Sequence, residues 1–345
     1  MRVLVTGNLG YIGVVIAPML VDAGHEVVGF DADLYADCDF VGAGPLPKVE
    51  QVVRDIRDVG PADVRGFDAV VHLAALSNDP LGNLDAELTY EVNWRATVRL
   101  AQAAREAGVR RFIFSSSCSN YGAAAGALVD EGAEVRPVTA YGESKVRAEA
   151  DLRGLAGDRF SPVILRNATA YGASPRLRLD IVLNDLVAAA VTTARVVLKS
   201  DGTPWRPLVH VEDIGQALLA SLDAPRETVH NAVINVGGGR ENYQVIDIAR
   251  IVEETVPGAM LEFAAGASAD ARDYRVDSSR AERLLGWRAR WDVRAGARQL
   301  FDAYRAGAMT AEDWQGSRYV RLRRLKELMA AGVMDSRLRF VAPRV

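Results

Sequence analysis

One glycine-spaced turn constrains this chain more than any other feature. RVLVT (2–6) reads as a strand, and YIGVVIAPMLVDAG (11–24) reads as a helix closed by Gly24. Between them TGNLGYIG (6–13) places Gly7, Gly10 and Gly13 three apart. A strand that turns this sharply into a helix needs glycine for the turn itself, for close approach of a ligand to the backbone, and for packing of helix on strand. The turn also leaves the free N–H groups of the helix N-terminus pointing outward, where phosphate oxygens are stabilised. Gly7, Gly10, Tyr11, Ile12 and Gly13 are therefore the expected cofactor-binding stretch.

The pattern repeats. HEVVGFD (25–31), KVEQVV (48–53), DAVVHLAA (68–75), RFIFSSS (111–117) and SPVILRN (161–167) read as further strands, with helical patterns at 91–108 and 139–152 between the later ones. Strands alternating with helices predict an α/β fold, a doubly wound, Rossmann-like parallel sheet covered on both faces. Beyond about residue 172 the regularity fades. A helix is expected over 179–193, a mixed stretch reaches 209–225, and NAVINVGGG (231–239) reads as a strand that rejoins the main sheet. The expected organisation is a dinucleotide-binding domain of 1–172 plus about 230–239, a smaller discontinuous α/β lobe of 173–229 plus 240–303, and a helical tail of 304–345. Within the tail, SRYVRLRRLKELMAAG (317–332) is an amphipathic basic helix, read as solvated or docked rather than bound to membrane or nucleic acid.

Bulk charge gives phosphates nothing to bind. The 345 residues carry 41 basic and 45 acidic side chains, a net charge of −4, which argues against nucleic acid as a partner and requires local groups for any phosphate contact. Cys38 and Cys118 are far apart and the four histidines are scattered, so neither a disulfide framework nor a metal site is expected. No apolar run reaches membrane-spanning length and no signal-peptide pattern opens the chain, so a cytoplasmic protein is expected.

Two constellations add chemistry. Asp31 ends the second strand, eighteen positions after Gly13. There a carboxylate accepts hydrogen bonds from the ribose hydroxyls of a dinucleotide and repels a 2′-phosphate, which favours NAD over NADP. In TAYGESK, Tyr141 and Lys145 are four apart and share a helix face. A free phenol ionises near pH 10. A neighbouring ammonium favours the phenolate, so the pair can take a proton from an alcohol while NAD takes the hydride.

Taken in order, TGNLGYIG, Asp31, DIRD (55–58), HLAA (72–75), SSSCSNYG (115–122) and YGESK (141–145) resemble the extended short-chain dehydrogenase/reductases, in their NAD-dependent sugar epimerase/dehydratase group, over residues 1 to about 300. The resemblance implies that Asp55 and Ile56 border the adenine, that Leu73, Ala74 and Ala75 line the cofactor, that Tyr141 and Lys145 also contact it, and that Asn93, counted with the cofactor site, sits in the helix beneath it. SSSCSNYG is similar to the family's SS(S/T)xxVYG stretch. It gives Ser117 the catalytic hydroxyl beside Tyr141 and Lys145, leaves Ser115 and Ser116 structural, and puts Ser119 and Asn167 near substrate. DGTPWRPLVHVED (201–213) and ARDYRVDSSRAERLLGW (271–287) resemble the segments that supply arginines to substrate phosphates, here Arg206 and Arg272; Pro207 and Leu208 depart from the usual Asp and aromatic. From SPRLRLDIVLND (174–185), Arg176, Arg178 and Asn184 are candidate substrate contacts, and Thr169 stands where many relatives have Asn. A homodimer paired through helices near 91–108 and 139–152 is also implied.

The family's dehydratases carry Asp-Glu straight after the Ser/Thr. Here Cys118 and Ser119 occupy those positions, so dehydration is disfavoured, as is the uronate decarboxylation that uses a Glu at the second of them. Cys118 is read as a small core residue, with proton donation in a deprotonation–reprotonation epimerase as the lesser alternative. The minimal set of Ser117, Tyr141, Lys145 and NAD suffices for a nucleotide-sugar epimerase acting at C4 through a transient 4-keto sugar. A nucleotide-sugar 4-ketoreductase or dehydrogenase uses the same residues, and a non-catalytic dinucleotide-sensing protein is the reading from another class.

Overall fold

In a computed structural model, which describes residues 1–77, 85–198, 200–264 and 273–342, apolar residues on both faces of the central strands fix the architecture. In β1 (Arg2–Thr6), Val3 and Val5 face one way and Leu4 the other, and all three are fully buried. Such a strand is stable only inside a sheet covered on both sides, where each buried Val or Leu contributes roughly 1.5–3 kcal/mol.

The strands that follow are β2 (Glu26–Asp31), β3 (Glu50–Val53), β4 (Ala69–His72), β5 (Arg111–Ser117), β6 (Ala123–Val129), β7 (Ser161–Asn167), β8 (Thr169–Tyr171), β9 (Arg195–Leu198), β10 (Trp205–His210), β11 (Ala232–Val236), β12 (Asn242–Gln244), β13 (Met260–Phe263) and β14 (Asp273–Val276). Seven form one parallel sheet in the order β11-β7-β5-β4-β1-β2-β3. The order reverses beside β1, so the carboxyl ends of β1 and β4 open the crevice in which α/β sheets bind ligands. β11 comes from far down the chain and pairs with β7. The remaining strands form three small sheets: β12-β10-β8, β13-β9 and β14-β6.

Helix α1 (Gly13–Asp22) follows the glycine turn. The next helix, α2, runs through Ala86–Tyr90, a π-helical turn at Glu91–Arg95, and Ala96–Glu106. Then come α3 (Ala140–Gly154), α4 (Val182–Thr193), α5 (Val211–Asp223), α6 (Val245–Thr255), α7 (Ser279–Leu285), α8 (Val293–Ala306) and α9 (Arg321–Ala330). The helix expected from 179 starts at Val182, because Leu179 instead donates its N–H to the Tyr319 carbonyl at 2.8 Å. One sheet face packs Leu4, Phe30, Val70, Phe112 and Phe114 against α2 and α3; the other packs Val3, Val5, Val71, Ile113 and Leu165 against α1 and α5. A separate core of Phe40, Tyr171, Leu183, Val187, Ile248, Leu300 and Tyr304 holds the remaining helices.

The tail is docked, not solvated. Leu325, Leu328, Met334 and Leu338 are buried in the same core as Phe30 and Ile56. Among the described residues no helix is long and apolar enough to cross a membrane.

Candidate active site

Two cavities adjoin at the carboxyl edge of the sheet. The first is lined by Gly7, Gly10, Tyr11, Ile12, Gly13, Asp31, Asp55, Ile56, Leu73, Ala74 and Ala75. The second is lined by Ser117, Ser119, Tyr141, Lys145, Asn167, Thr169, Arg206 and Tyr274. Tyr11, Ile12, Leu73, Ala75, Ser77 and Arg178 border both.

The first cavity has the shape of a dinucleotide cradle. Gly7 takes φ +76°, and a Cβ there would stand 2.5 Å from the Ala74 nitrogen; one on Gly13 would stand 2.3 Å from the Gly7 carbonyl oxygen. Packing this close admits no side chain, so a ligand can approach the N-terminus of α1, where phosphate oxygens are stabilised. Asp31 lies at the far side, its Oδ2 accepting from the Leu9 N–H at 3.0 Å and its Oδ1 from the Asp33 N–H at 2.8 Å. Burial pushes its pKa up from the ordinary 3.8 to about 6, against those two hydrogen bonds. Ribose hydroxyls donate to the ionised carboxylate, so NAD affinity is expected to be full above pH 6 and to fall as pH drops through 6. The stability of the ligand-free protein moves oppositely. A raised carboxyl pKa contributes stability below the unfolded value that is lost as pH rises through 6. Calorimetric titrations of NAD between pH 5 and 8 check the first trend, and an Asp31→Asn protein should lose it.

The second cavity gathers an alcohol, a phenol and an amine from two elements. Ser117 closes β5, its Oγ accepting from the Ser119 N–H at 3.1 Å and the Ser119 Oγ at 2.9 Å. Tyr141 and Lys145 lie one turn apart at the start of α3, which Thr139 caps by accepting from the Gly142 N–H. The Lys145 ammonium donates to the Ser115 carbonyl at 2.8 Å and lies 5.9 Å from the centre of the Tyr141 ring. Burial lowers its pKa to about 7, with Glu149 acting in the opposite sense. Asn93 lines neither cavity. Its Oδ1 accepts from the Leu76 N–H, and its amide donates to the Leu76 carbonyl and the Ser144 hydroxyl, which in turn donates to the Tyr141 carbonyl. It thereby ties the loop after β4 to the first turn of α3.

A model of the NAD dependent epimerase/dehydratase family matches residues 3–237. The chain belongs to that family. Among its relatives, the UDP-glucose 4-epimerase of Mycolicibacterium smegmatis is 30% identical over 324 residues, covering 88% of this chain and 99% of its own. The solved structure of MoeE5 in complex with UDP-glucose and NAD is 29% identical with a TM-score of 0.77; it covers 89% of this chain and 100% of MoeE5, so this chain carries residues that MoeE5 lacks. The UDP-glucose-4-epimerase from Stenotrophomonas maltophila, solved with bound NAD and formylated UDP-arabinopyranose, is 27% identical over 89% of this chain and 99% of its own, with a TM-score of 0.77.

In this member of the family several residues expected at the site lie elsewhere. Arg176 does not face the substrate-side cavity. It is buried in ion pairs with Asp33 and Asp39 and donates to the Tyr35 carbonyl. Asn184 is likewise internal, bridging the Gly172 N–H, the Tyr11 hydroxyl and the Arg178 carbonyl. Arg178, two residues beyond Arg176, borders both cavities. It grips Asp180 with Nε and Nη2 at 2.8 and 3.1 Å and donates from Nη1 to the Ser77 hydroxyl at 3.0 Å. Arg206 lines the second cavity and donates to the Trp205 carbonyl. Arg272 lies outside the described residues.

Cys118 is a core residue. Its thiol is 1% exposed and donates to the Arg166 carbonyl at 3.1 Å, and burial pushes its pKa far up, which removes it as an acid–base group. Behind Ser117 runs a buried network with no sequence signal. Glu149 accepts from Ser116, Asn120 and Arg166, while Arg166 also donates to the Tyr121 hydroxyl. It fixes the exit of β5, and so the position of Ser117, to α3 and β7.

Proposed function

We propose that this protein is an NAD-dependent nucleotide-sugar epimerase that inverts C4 through a transient 4-keto sugar. The observation that carries the reading is the gathering of Ser117, Tyr141 and Lys145 in one cavity that opens onto the dinucleotide cradle. Bound NAD supplies the acceptor, and later the donor, of the C4 hydride. The chain supplies proton chemistry and orientation. Tyr141 Oη takes the proton of the 4-hydroxyl and returns it to the ketone oxygen after the sugar has turned. The Ser117 hydroxyl hydrogen-bonds the same oxygen as it gains and loses charge. The Lys145 ammonium stands beside the Tyr141 ring and favours its ionised form during the transfer.

Elimination of water would need a further acid and base in the same cavity. Among the described lining residues the carboxylate is Asp180, and it is locked onto Arg178. Arg178 and Arg206 are the cations suited to substrate diphosphate or sugar oxygens. We also read the protein as a cytoplasmic homodimer paired through α2 and α3, where Arg147 stacks over Tyr90 and Trp94 at 4.8 and 4.9 Å.

The names of the relatives make UDP-hexoses the first substrates to try. Purified protein incubated with a panel of UDP-, dTDP-, GDP- and CDP-sugars, without added cofactor, is expected to interconvert one C4-epimeric pair by NMR. Consumption only when a stoichiometric reductant is supplied would instead identify a one-way ketoreductase.

A further inference from the structure

The C-terminal segment brings a guanidinium into the cofactor cavity that the rest of the chain leaves half satisfied. Arg321, the first residue of α9, is 2% exposed. Its Nη2 donates to the Arg176 carbonyl at 2.9 Å, and its Cζ lies 4.0 Å from the centre of the Tyr35 ring. Its Nη1 is buried and has no hydrogen-bond partner among the described residues. An unmade bond on a buried cation is costly unless a ligand completes it.

Arg321 and Arg178 line the same cavity as the glycine turn and the N-terminus of α1. The Asp180 carboxylate is already forked onto Arg178. Arg321 has no ion-pair partner among the described residues, whereas the other carboxylate left without an ion pair on this wall, Asp31, is held by the Leu9 and Asp33 N–H groups; Arg321 is thus the cation of the cavity left over for an anionic ligand.

The segment that carries Arg321 is fastened around this cavity. The Tyr319 carbonyl accepts from the Leu179 N–H at 2.8 Å, and the Arg337 carbonyl accepts from Arg57 Nη1 at 2.8 Å. Arg339 donates to Asp58 at 2.5 and 3.0 Å, three residues beyond Asp55. Leu338 contributes an apolar wall to the cavity itself.

We propose that Arg321 binds the diphosphate of the dinucleotide, and that the C-terminal segment is a strap whose docking and cofactor retention are linked through that contact. The proposal rests on the cofactor site and is independent of which sugar reaction the protein performs. Its test is ligand binding to the full-length protein, freed of any cofactor, with NAD, ADP-ribose and adenosine as probes, in wild type, Arg321→Met and Arg321→Lys. Losing one charge-assisted bond should weaken NAD and ADP-ribose by about 10- to 100-fold in Arg321→Met. Adenosine, which has no phosphate, should bind nearly as before, and Arg321→Lys should recover part of the loss. The Tm of ligand-free Arg321→Met should stay level or rise, because an uncompensated buried charge is removed. Equal losses for all three probes would mean that Arg321 only shapes the pocket, and unchanged ADP-ribose binding would mean that it touches no phosphate; either overturns the proposal. Wild-type protein that bound neither NAD nor ADP-ribose would overturn the cofactor site itself.

Discussion

Tyr141→Phe protein is expected to lose turnover by roughly 10²- to 10⁴-fold, the usual contribution of a positioned acid–base group, while binding NAD within about two-fold of wild type. The substitution removes one oxygen and leaves the ring in place. Tyr141 borders the substrate-side cavity rather than the glycine cradle, so the contacts around Gly7, Gly13 and Asp31 are untouched. The loss should fall on kcat, with KM little changed, because the phenol acts on a proton that moves only as the reaction proceeds. Steady-state kinetics together with NAD titration separate the two effects. A variant that lost NAD in parallel with activity would mean that Tyr141 is a cofactor contact, and one that kept wild-type kcat would remove it from the chemistry.

Glu149→Ala should be the most destabilising single change near the site. Glu149 and Arg166 side chains are 6% and 8% exposed, with an ion pair of 2.7 Å between them. Removing the carboxylate leaves the Arg166 guanidinium buried and uncompensated, at a cost of about 3–5 kcal/mol. It also strands the hydrogen bonds from Ser116 and Asn120. For a chain of this size the Tm should fall by roughly 5 °C. Activity should drop at temperatures below unfolding as well, because β5 then presents Ser117 less rigidly. The double variant Glu149→Met with Arg166→Met should recover a large part of the stability, since a well-packed apolar pair can replace a buried ion pair. Thermal and urea unfolding of the three proteins measure this.

The parts of this molecule that were legible in its sequence are those fixed by local geometry. A turn that places a would-be Cβ within 2.5 Å of backbone at Gly7 leaves no choice of residue, so the loop announces itself. Tyr141 and Lys145 share a helix face by period alone, and Ser117 ends a strand marked by the continuous apolar run Phe112, Ile113, Phe114. What was obscure depends on contacts distant in sequence. Arg176 and Arg178 lie in an irregular segment that offers no period to say which arginine meets the cavity, and only the ion pairs with Asp33 and Asp39 decide it. Asn184 was drawn into the expected site by its segment, yet its amide is taken up by Gly172, Tyr11 and Arg178. The amphipathic pattern over 317–332 marked an apolar stripe without naming its partner. Arg321 was one cation among several until the fold buried it beside Tyr35. The Glu149–Arg166 network was invisible for a similar reason: a carboxylate on α3 and a guanidinium on β7 meet only once β7 has paired beside β5.

The central claim is that one cavity removes a hydrogen from C4 of a bound nucleotide-sugar and returns it to the other face without release. The direct measurement uses a UDP-hexose deuterated at C4, incubated in ordinary water with the purified protein and no added cofactor, and follows both epimers by NMR. The expected result is interconversion with deuterium retained at C4 of the product. Product carrying protium at C4, or no interconversion until a reductant is added, would contradict the account.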